Sequence, residues 1–254
     1  MHETRSVYAV ILAGGSGTRM HSPTPKQFLM LGDAPVFIHA SRKFLGDARV
    51  KQLWIGANGD WYDLARQQVA EFLGGEEYLP GDGRVRMCEG GADREGTLLN
   101  TLSAICEHND IGPEDIVLIH DSVRPFVTGR IIGDVIREMD SCDACNTVVP
   151  VNDTIVRSAD GKTISGMPIR AELFAGQSPQ GFKLTTLLEA FSSLSAEERT
   201  QLTETTKVCF MKNISIHIVR GEFFNFKITT PYDWQVAQTI LDYIKRGAHN
   251  SSVG

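Results

Sequence analysis

The sequence has no apolar run long enough to cross a bilayer. Its N-terminal stretch Val7–Ala13 falls far below the roughly 20 residues that a spanning helix needs. It has no charged–apolar–small leader pattern either, since Met1 to Ser6 is short and polar, so the expected compartment is the cytoplasm. Positive charge is in deficit: 25 Lys and Arg against 31 Asp and Glu give a formal charge of -6 and a pI near 5.7. That balance argues against a protein that coats nucleic acid or anionic membrane, because phosphate polyanions attract basic surfaces. A site for a small phosphorylated substrate needs only a local cluster of cations and stays open. Cysteine is scarce, and five is an odd number, which fits reduced thiols better than a disulfide framework.

Several chemical signatures are also missing. A P-loop requires Gly-x-x-x-x-Gly-Lys-Ser/Thr, and Gly161-Lys162-Thr163 lacks the earlier glycine. A dinucleotide fingerprint beginning at Gly15 would need glycine or alanine where Met20 stands. Nothing suggests a Ser-His-Asp nucleophile, and His39, His108 and His217 are scattered without metal-ligand spacing. Cys142 and Cys145 form a lone Cys-x-x-Cys with no second pair and no helix start after it, which argues against zinc or redox use.

What is present is a regular alternation. Apolar, β-rich runs at Val7–Ala13, Val50–Ala57, Arg84–Cys88, Ile116–His120 and Thr147–Val151 are separated by helix-period segments. These are Phe37–Leu45, Trp61–Leu73, Thr97–Glu107 and Ile131–Met139. The pattern predicts an α/β, Rossmann-like, mainly parallel sheet covered by helices. In such sheets ligands bind beyond the carboxyl ends of the strands. From Val151 the rhythm breaks. Asp153–Val156 and Lys162–Ser165 flank Asp160-Gly161 and predict a β-hairpin that projects from the sheet as an arm. A helix over Leu184–Leu194, strands at Ser215–Val219 and Asn225–Ile228, and a last helix follow. That helix is capped by Thr230, with Pro231 at its first position and Asp233 three residues after the cap. With no internal repeat or linker, the 254 residues read as one domain, with the arm at about 152–175.

Four segments carry candidate chemistry. The first is Leu12-Ala13-Gly14-Gly15-Ser16-Gly17-Thr18-Arg19-Met20, directly after the first strand, followed by Pro25-Lys26-Gln27. Glycines let backbone N–H groups approach a polyphosphate, and Arg19 and Lys26 bring positive charge to a transferring phosphorus. The second is His120-Asp121-Ser122-Val123-Arg124-Pro125. Asp121 there suits an oxygen ligand for Mg²⁺ and equally suits a helix cap. The third, Gly90-Gly91-Ala92-Asp93-Arg94-Glu95-Gly96-Thr97, can close over a base or phosphate, while Asp93 can equally cap the next helix. The fourth holds Lys227, which either reaches back to a phosphate or lies on a solvated face. The lack of a general base is no obstacle, because a phosphate monoester is mostly dianionic near neutral pH (second pKa about 6) and attacks unaided.

Together these segments resemble the cytidylyltransferases that act on sugar-alcohol phosphates, from Tyr8 to about Ile244. The resemblance implies a CTP-dependent nucleotidyl transfer to a polyol phosphate. It implies Mg²⁺ on Asp121, and catalysis by Arg19, Lys26 and Lys227. A nucleotide site would be formed by Leu12, Ala13, Gly14, Gly15, Gly17, Thr18, Gly90, Gly91, Arg94 and Thr97. It further implies a homodimer whose arms reach into the neighbouring subunit. Thr154 and Arg170 would then serve the partner's site, and Arg124 and Ser178 would hold the acceptor phosphate. His120 to Phe126, Pro168 to Gln180, Gly221 to Asp233 and the longer stretch Ser195–Met211 look more like the branch acting on ribitol 5-phosphate than the branch acting on methylerythritol phosphate. Ser122 departs from a usual alanine, and Glu204 from a usual aspartate. Two other readings remain: an inactive nucleotide-binding subunit of the same fold, and a sugar-1-phosphate nucleotidyltransferase. The presence of Arg19, Lys26, Asp121 and Lys227 together opposes the first. The short gap from Arg19 to Lys26 opposes the second.

Overall fold

The computed structural model describes residues 5–15, 23–74 and 83–250, without the side chains of the last four. The strands are β1 (Val7–Ala13), β2 (Met30–Leu31), β3 (Ala34–Pro35), β4 (Val50–Ala57), β5 (Val85–Glu89), β6 (Ile116–Asp121), β7 (Ala144–Pro150), β8 (Phe174–Lys183) and β9 (Ile216–Arg220). The helices are α1 (Val36–Leu45), α2 (Gly59–Phe72), α3 (Arg94–His108), α4 (Gly129–Glu138), α5 (Leu184–Ser192), α6 (Ala196–Thr200), α7 (Thr206–Met211) and α8 (Pro231–Asn250). Seven strands form one sheet in the order β5-β4-β1-β6-β8-β7-β9. Every strand of that sheet runs parallel except β8, which is antiparallel to both β6 and β7.

The continuous apolar run of β1 follows from its place in the sheet, where a strand covered on both faces has no polar side to show. Val7, Ala9, Ile11 and Ala13 point to one face, into a core shared with α1, α2 and α4. Tyr8, Val10 and Leu12 point to the other, where α3, α5 and α7 pack. A third, smaller cluster joins Leu31 of β2, Val36, Phe126, Ile228 and Ala237 of α8, with Trp234, Ile240 and Leu241 against it. α8 starts as its sequence requires: the Asp233 amide donates to Thr230 Oγ1 at 3.2 Å, and the Asp233 carboxylate accepts from the Thr229 and Thr230 amides. No helix among the described residues is long and apolar enough to cross a membrane.

Three expectations need correction. β8 was unforeseen, and so were α6 and α7. Asn225–Ile228 is irregular rather than a strand. Its backbone bonds run locally, from the Asn225 amide to Glu222 O, and to a loop, from the Ile228 amide to Val123 O. The arm keeps the anticipated turn, with Gly161 at φ +68 and Asp160 Oδ1 accepting from the Lys162 and Thr163 amides. Its two limbs, however, meet in one antiparallel bridge, Arg157 to Gly166, and not in a ladder along Asp153–Val156 and Lys162–Ser165.

Leu102 of α3 is fully buried against the sheet. Truncation to alanine should cost about 2–5 kcal/mol through lost transfer energy and the cavity left behind. Asp63→Ala on the exposed side of α2 should stay within about 0.5 kcal/mol. Urea midpoints of the two variants check this, and equal midpoints would contradict the assigned core.

Candidate active site

The chain passes from β1 to β4 and β5 on one side, then returns to β6 on the other, so the sheet order reverses between β1 and β6. The crevice at such a reversal is where open α/β sheets bind ligands. Leu12 and Asp121 are register partners across it, and the Ser122 amide donates to Leu12 O at 3.3 Å. The glycine loop and the candidate metal aspartate therefore leave the sheet side by side.

Of the loop, Leu12, Ala13, Gly14 and Gly15 are described; Gly17, Thr18 and Arg19 lie outside the described residues. A Cβ on Gly14 would stand 2.3 Å from Thr97 Oγ1, and one on Gly90 would stand 2.7 Å from the same atom. Glycine is needed at both positions because α3 is drawn in against the ends of β1 and β5. Thr97 itself is fully buried and donates its hydroxyl to Asp93 O at 2.8 Å, so it supports these loops from behind. Gly91 packs backbone to backbone on Gly96, and Asp93 caps α3 by accepting from the Gly96 amide at 2.7 Å. Of the two roles open to Asp93, the structure shows the cap. Lys26 is buried in a single helical turn after Pro25. Its neighbour Gln27, whose residue type carries no signal of a role, clamps the loop by donating to Ala13 O at 2.8 Å and Gly15 O at 2.6 Å.

Asp121 does not cap a helix. It accepts from Lys227 Nζ at 3.0 Å and faces Arg124 Nε at 3.4 Å and Arg94 Nη2 at 3.6 Å. Burial alone would raise its pKa, but the charges of Lys227, Arg94 and Arg124 outweigh that and hold it far below the carboxylate range. One acid among three cations leaves a surplus of positive charge at the crevice. Lys227 arrives there because its neighbours Phe226 and Ile228 pack into the α8 cluster. Alternation in an irregular segment thus does what the predicted strand would have done. Arg94 also donates to Thr205 Oγ1 at 3.1 Å, tying α3 to the segment before α7. Glu204, in that segment, accepts from Thr206 and, at 3.4 Å, from Gln180 of β8.

Behind Asp121 lies a buried polar relay. His120 is fully buried; its Nε2 lies 3.0 Å from Arg124 O and its Nδ1 2.9 Å from Ser178 Oγ. A carbonyl only accepts, so Nε2 carries the proton and Nδ1 accepts from the Ser178 hydroxyl. Ser178 Oγ in turn accepts from the Asp121 amide at 3.1 Å. Arg124 donates to Asn225 O at 2.9 Å and Gly176 O at 3.3 Å, and Asn225 donates to Ser178 O at 2.8 Å. The family resemblance gives Arg124 and Ser178 to the acceptor phosphate. In the structure the polar atoms of both are engaged inward, where they fix Asp121. His120 and Asn225 were missed as parts of the site. A histidine ending an apolar run beside an acid was the available signal for the first. Thr154 and Arg170 belong to the exposed arm, and Arg170 donates to Asn152 O at 3.2 Å rather than to the cluster.

Burial pushes the His120 pKa down from 6.5 to about 4. Between those values the unfolded chain binds a proton that the native state refuses, so stability rises with pH across that window. Roughly 3 kcal/mol of stability should be lost as pH falls from about 6.5 to 4. The contribution of Asp121 has the opposite origin, a depressed acid, and is lost only at lower pH. Denaturant unfolding of wild type and His120→Gln across this range checks the assignment; parallel curves would show that His120 is not the group responsible.

Comparison with known proteins bears on this geometry. The 2-C-methyl-D-erythritol 4-phosphate cytidylyltransferase (IspD) family model matches residues 7–243. A ribitol-5-phosphate cytidylyltransferase of Lactiplantibacillus plantarum is 40% identical over 237 residues, covering 93% of this chain and 98% of the relative. One from Streptococcus pneumoniae is 42% identical over 238 residues, covering 93% and 99%. Among solved structures, a 4-diphosphocytidyl-2C-methyl-D-erythritol synthase from Anaerococcus prevotii superposes with a TM-score of 0.75 at 21% identity, covering 94% of this chain and 100% of that one. The Francisella tularensis 2-C-methyl-D-erythritol 4-phosphate cytidylyltransferase gives 0.74 at 22%, covering 91% and 98%. These structural likenesses establish the α/β fold. With the family model spanning nearly the whole chain and the 40–42% relatives spanning as much, the chain belongs to the IspD family of cytidylyltransferases.

Proposed function

We propose that the chain transfers CMP from CTP to D-ribitol 5-phosphate, giving CDP-ribitol and pyrophosphate, in the cytoplasm and with Mg²⁺. The observation that carries the reading is Asp121 ringed by Lys227, Arg124 and Arg94 beside a glycine loop at the sheet's reversal. The curated relatives at 40–42% identity, both named for ribitol 5-phosphate, favour that acceptor over methylerythritol phosphate.

A single carboxylate fits Mg²⁺, which is commonly held by one or two carboxylates together with substrate phosphates. Asp121 would hold the ion, which would neutralise charge on the triphosphate. The chain's own cations do the rest. Two unit charges 4 Å apart interact by about 4 kcal/mol at an effective dielectric of 20, so the surplus at Asp121 draws a polyphosphate strongly. Lys227 has the most open side chain of the three cations, at 39% exposure, and is placed to follow the transferring phosphate. By the family resemblance, Arg19 and Lys26 would add their charge to the same phosphate. An acceptor phosphate oxygen attacks the α-phosphorus, and the bond to pyrophosphate breaks with its electron pair leaving on pyrophosphate. No base is required, and buried His120, with both ring nitrogens engaged, is not one.

Pyrophosphate release should be Mg²⁺-dependent and fastest with CTP plus ribitol 5-phosphate when each nucleoside triphosphate is paired with each polyol phosphate. Faster turnover with methylerythritol 4-phosphate would transfer the acceptor assignment, and no release with any pair would favour a binding subunit. Arg19→Ala, Lys26→Ala and Lys227→Ala should each lower kcat by about 10²-fold or more. Asp121→Asn should raise the Mg²⁺ requirement as well.

We further infer a homodimer built through the arm at 152–175 of a single nucleotidyltransferase domain. Its apolar side chains Ile155, Val156, Ile164, Met167, Ile169 and Phe174 are exposed, a pattern that marks contact surfaces. Arg170 and Thr154 would then complete the partner's site, since arginine binds phosphate through paired hydrogen bonds. Lys26→Ala and Arg170→Ala, each nearly inactive alone, should recover about a quarter of wild-type activity when mixed, because half of the dimers are mixed and each of these has one intact site. No recovery, with subunit exchange verified, would confine Arg170 to its own subunit.

A further inference from the structure

The lone Cys-x-x-Cys, unpromising in sequence, acquires partners in the fold. Cys142 lies in the turn between α4 and β7, and its thiol donates to Glu138 O at 3.3 Å. Glu138 ends α4, and its Oε1 lies 2.6 Å from His217 Nδ1. His217 is on β9 and is the register partner of Cys145 on β7, so the two side chains leave the same face of the sheet. The Glu138 carboxylate, Cys142 thiol and His217 ring together place one oxygen, one sulfur and one nitrogen within 4.8 Å of one another. Zinc bonds of about 2.0–2.3 Å spread tetrahedrally set donor atoms roughly 3.3–3.8 Å apart, so an ion entering here would part the Glu138–His217 hydrogen bond and draw the three donors onto itself.

We propose that Glu138, Cys142 and His217 form a site for a zinc-class divalent ion, with a solvent molecule as the fourth ligand. The charges match: a carboxylate, a thiolate and a neutral imidazole balance a dication. The nearby cation Arg137 is paired with Asp134, which lessens its opposition. Cys145 is fully buried and its thiol donates to Met139 Sδ at 3.6 Å, so it faces the core and is not itself a ligand. Metal entry displaces the Cys142 proton to solvent, so affinity rises with pH.

The site lies at the amino ends of β7 and β9, whereas Asp121 stands at the carboxyl end of the parallel β6. Its role is to bind the edge strand β9 to α4 and the start of β7, and it stands independently of the CMP-transfer reading. Titration of the full, untagged and reduced chain with Co²⁺, a spectroscopic stand-in for zinc, tests it. We expect about one ion per chain with a thiolate-to-metal charge-transfer band and tetrahedral visible absorption, both displaced by Zn²⁺. Cys142→Ser should abolish the charge-transfer band, and His217→Ala and Glu138→Gln should each weaken binding by about tenfold or more. Circular dichroism and Mg²⁺-dependent pyrophosphate release should be unchanged in all three. Absence of the band in wild type, its persistence in Cys142→Ser, or closure of a Cys142–Cys145 disulfide in place of metal uptake would overturn the assignment.

Discussion

The Asp121 carboxylate sits among Lys227, Arg124 and Arg94, and these contacts gather three separate parts of the chain. Arg94 brings the start of α3, Arg124 the loop beyond β6, and Lys227 the segment before α8. Burying an acid without partners would cost several kcal/mol, and three cations around it leave the ionised form favoured. The same three cations would repel one another without it. The cluster is therefore mutually dependent, with a net positive charge that an incoming polyanion can complete. That combination of structural need and chemical incompleteness is characteristic of a binding site rather than of a structural ion pair.

The backing of this cluster is neutral. A charged imidazole behind Asp121 would add a fourth cation in a buried place, and the surroundings of His120 prevent that by burial and by fixing its tautomer. The relay from the Asp121 amide through Ser178 to His120 and the Arg124 carbonyl gives every polar atom along it a partner. A satisfied buried network holds its members in one geometry, because any slip would leave a donor or acceptor unpaired.

Much of the fold was legible because its strands carry their burial in their composition. β1 and β4 were read to their observed ends, and the helices between β1 and β7 within a few residues. β8 escaped because Gln177, Ser178, Pro179, Gln180 and Gly181 show neither an apolar run nor an alternation. Their burial rests on hydrogen bonds such as Gln177 to Glu222 O and Thr147 to Pro179 O, which link residues distant in sequence. Asn225–Ile228 misled for the converse reason, since packing alternates where no ladder forms. At the site, residue types that attract phosphate or metal announced themselves. The residues that position them did not, because Gln27 and Asn225 act through amides that carry no signal until the fold surrounds them.

The reversal of β8 has a consequence for where the arm must stand. A parallel return from β7 would have required a crossover to the far end of the sheet. Because β8 runs back beside β7, with Pro150 opposite Phe174 and the Val151 amide bonded to Leu173 O, the arm's two roots lie together. They lie at the carboxyl end of β7, the same end of the sheet as Asp121. One inverted strand thus sets the outward reach of the molecule and its reactive crevice on a common rim, so that whatever grips the arm is brought to the edge of the crevice.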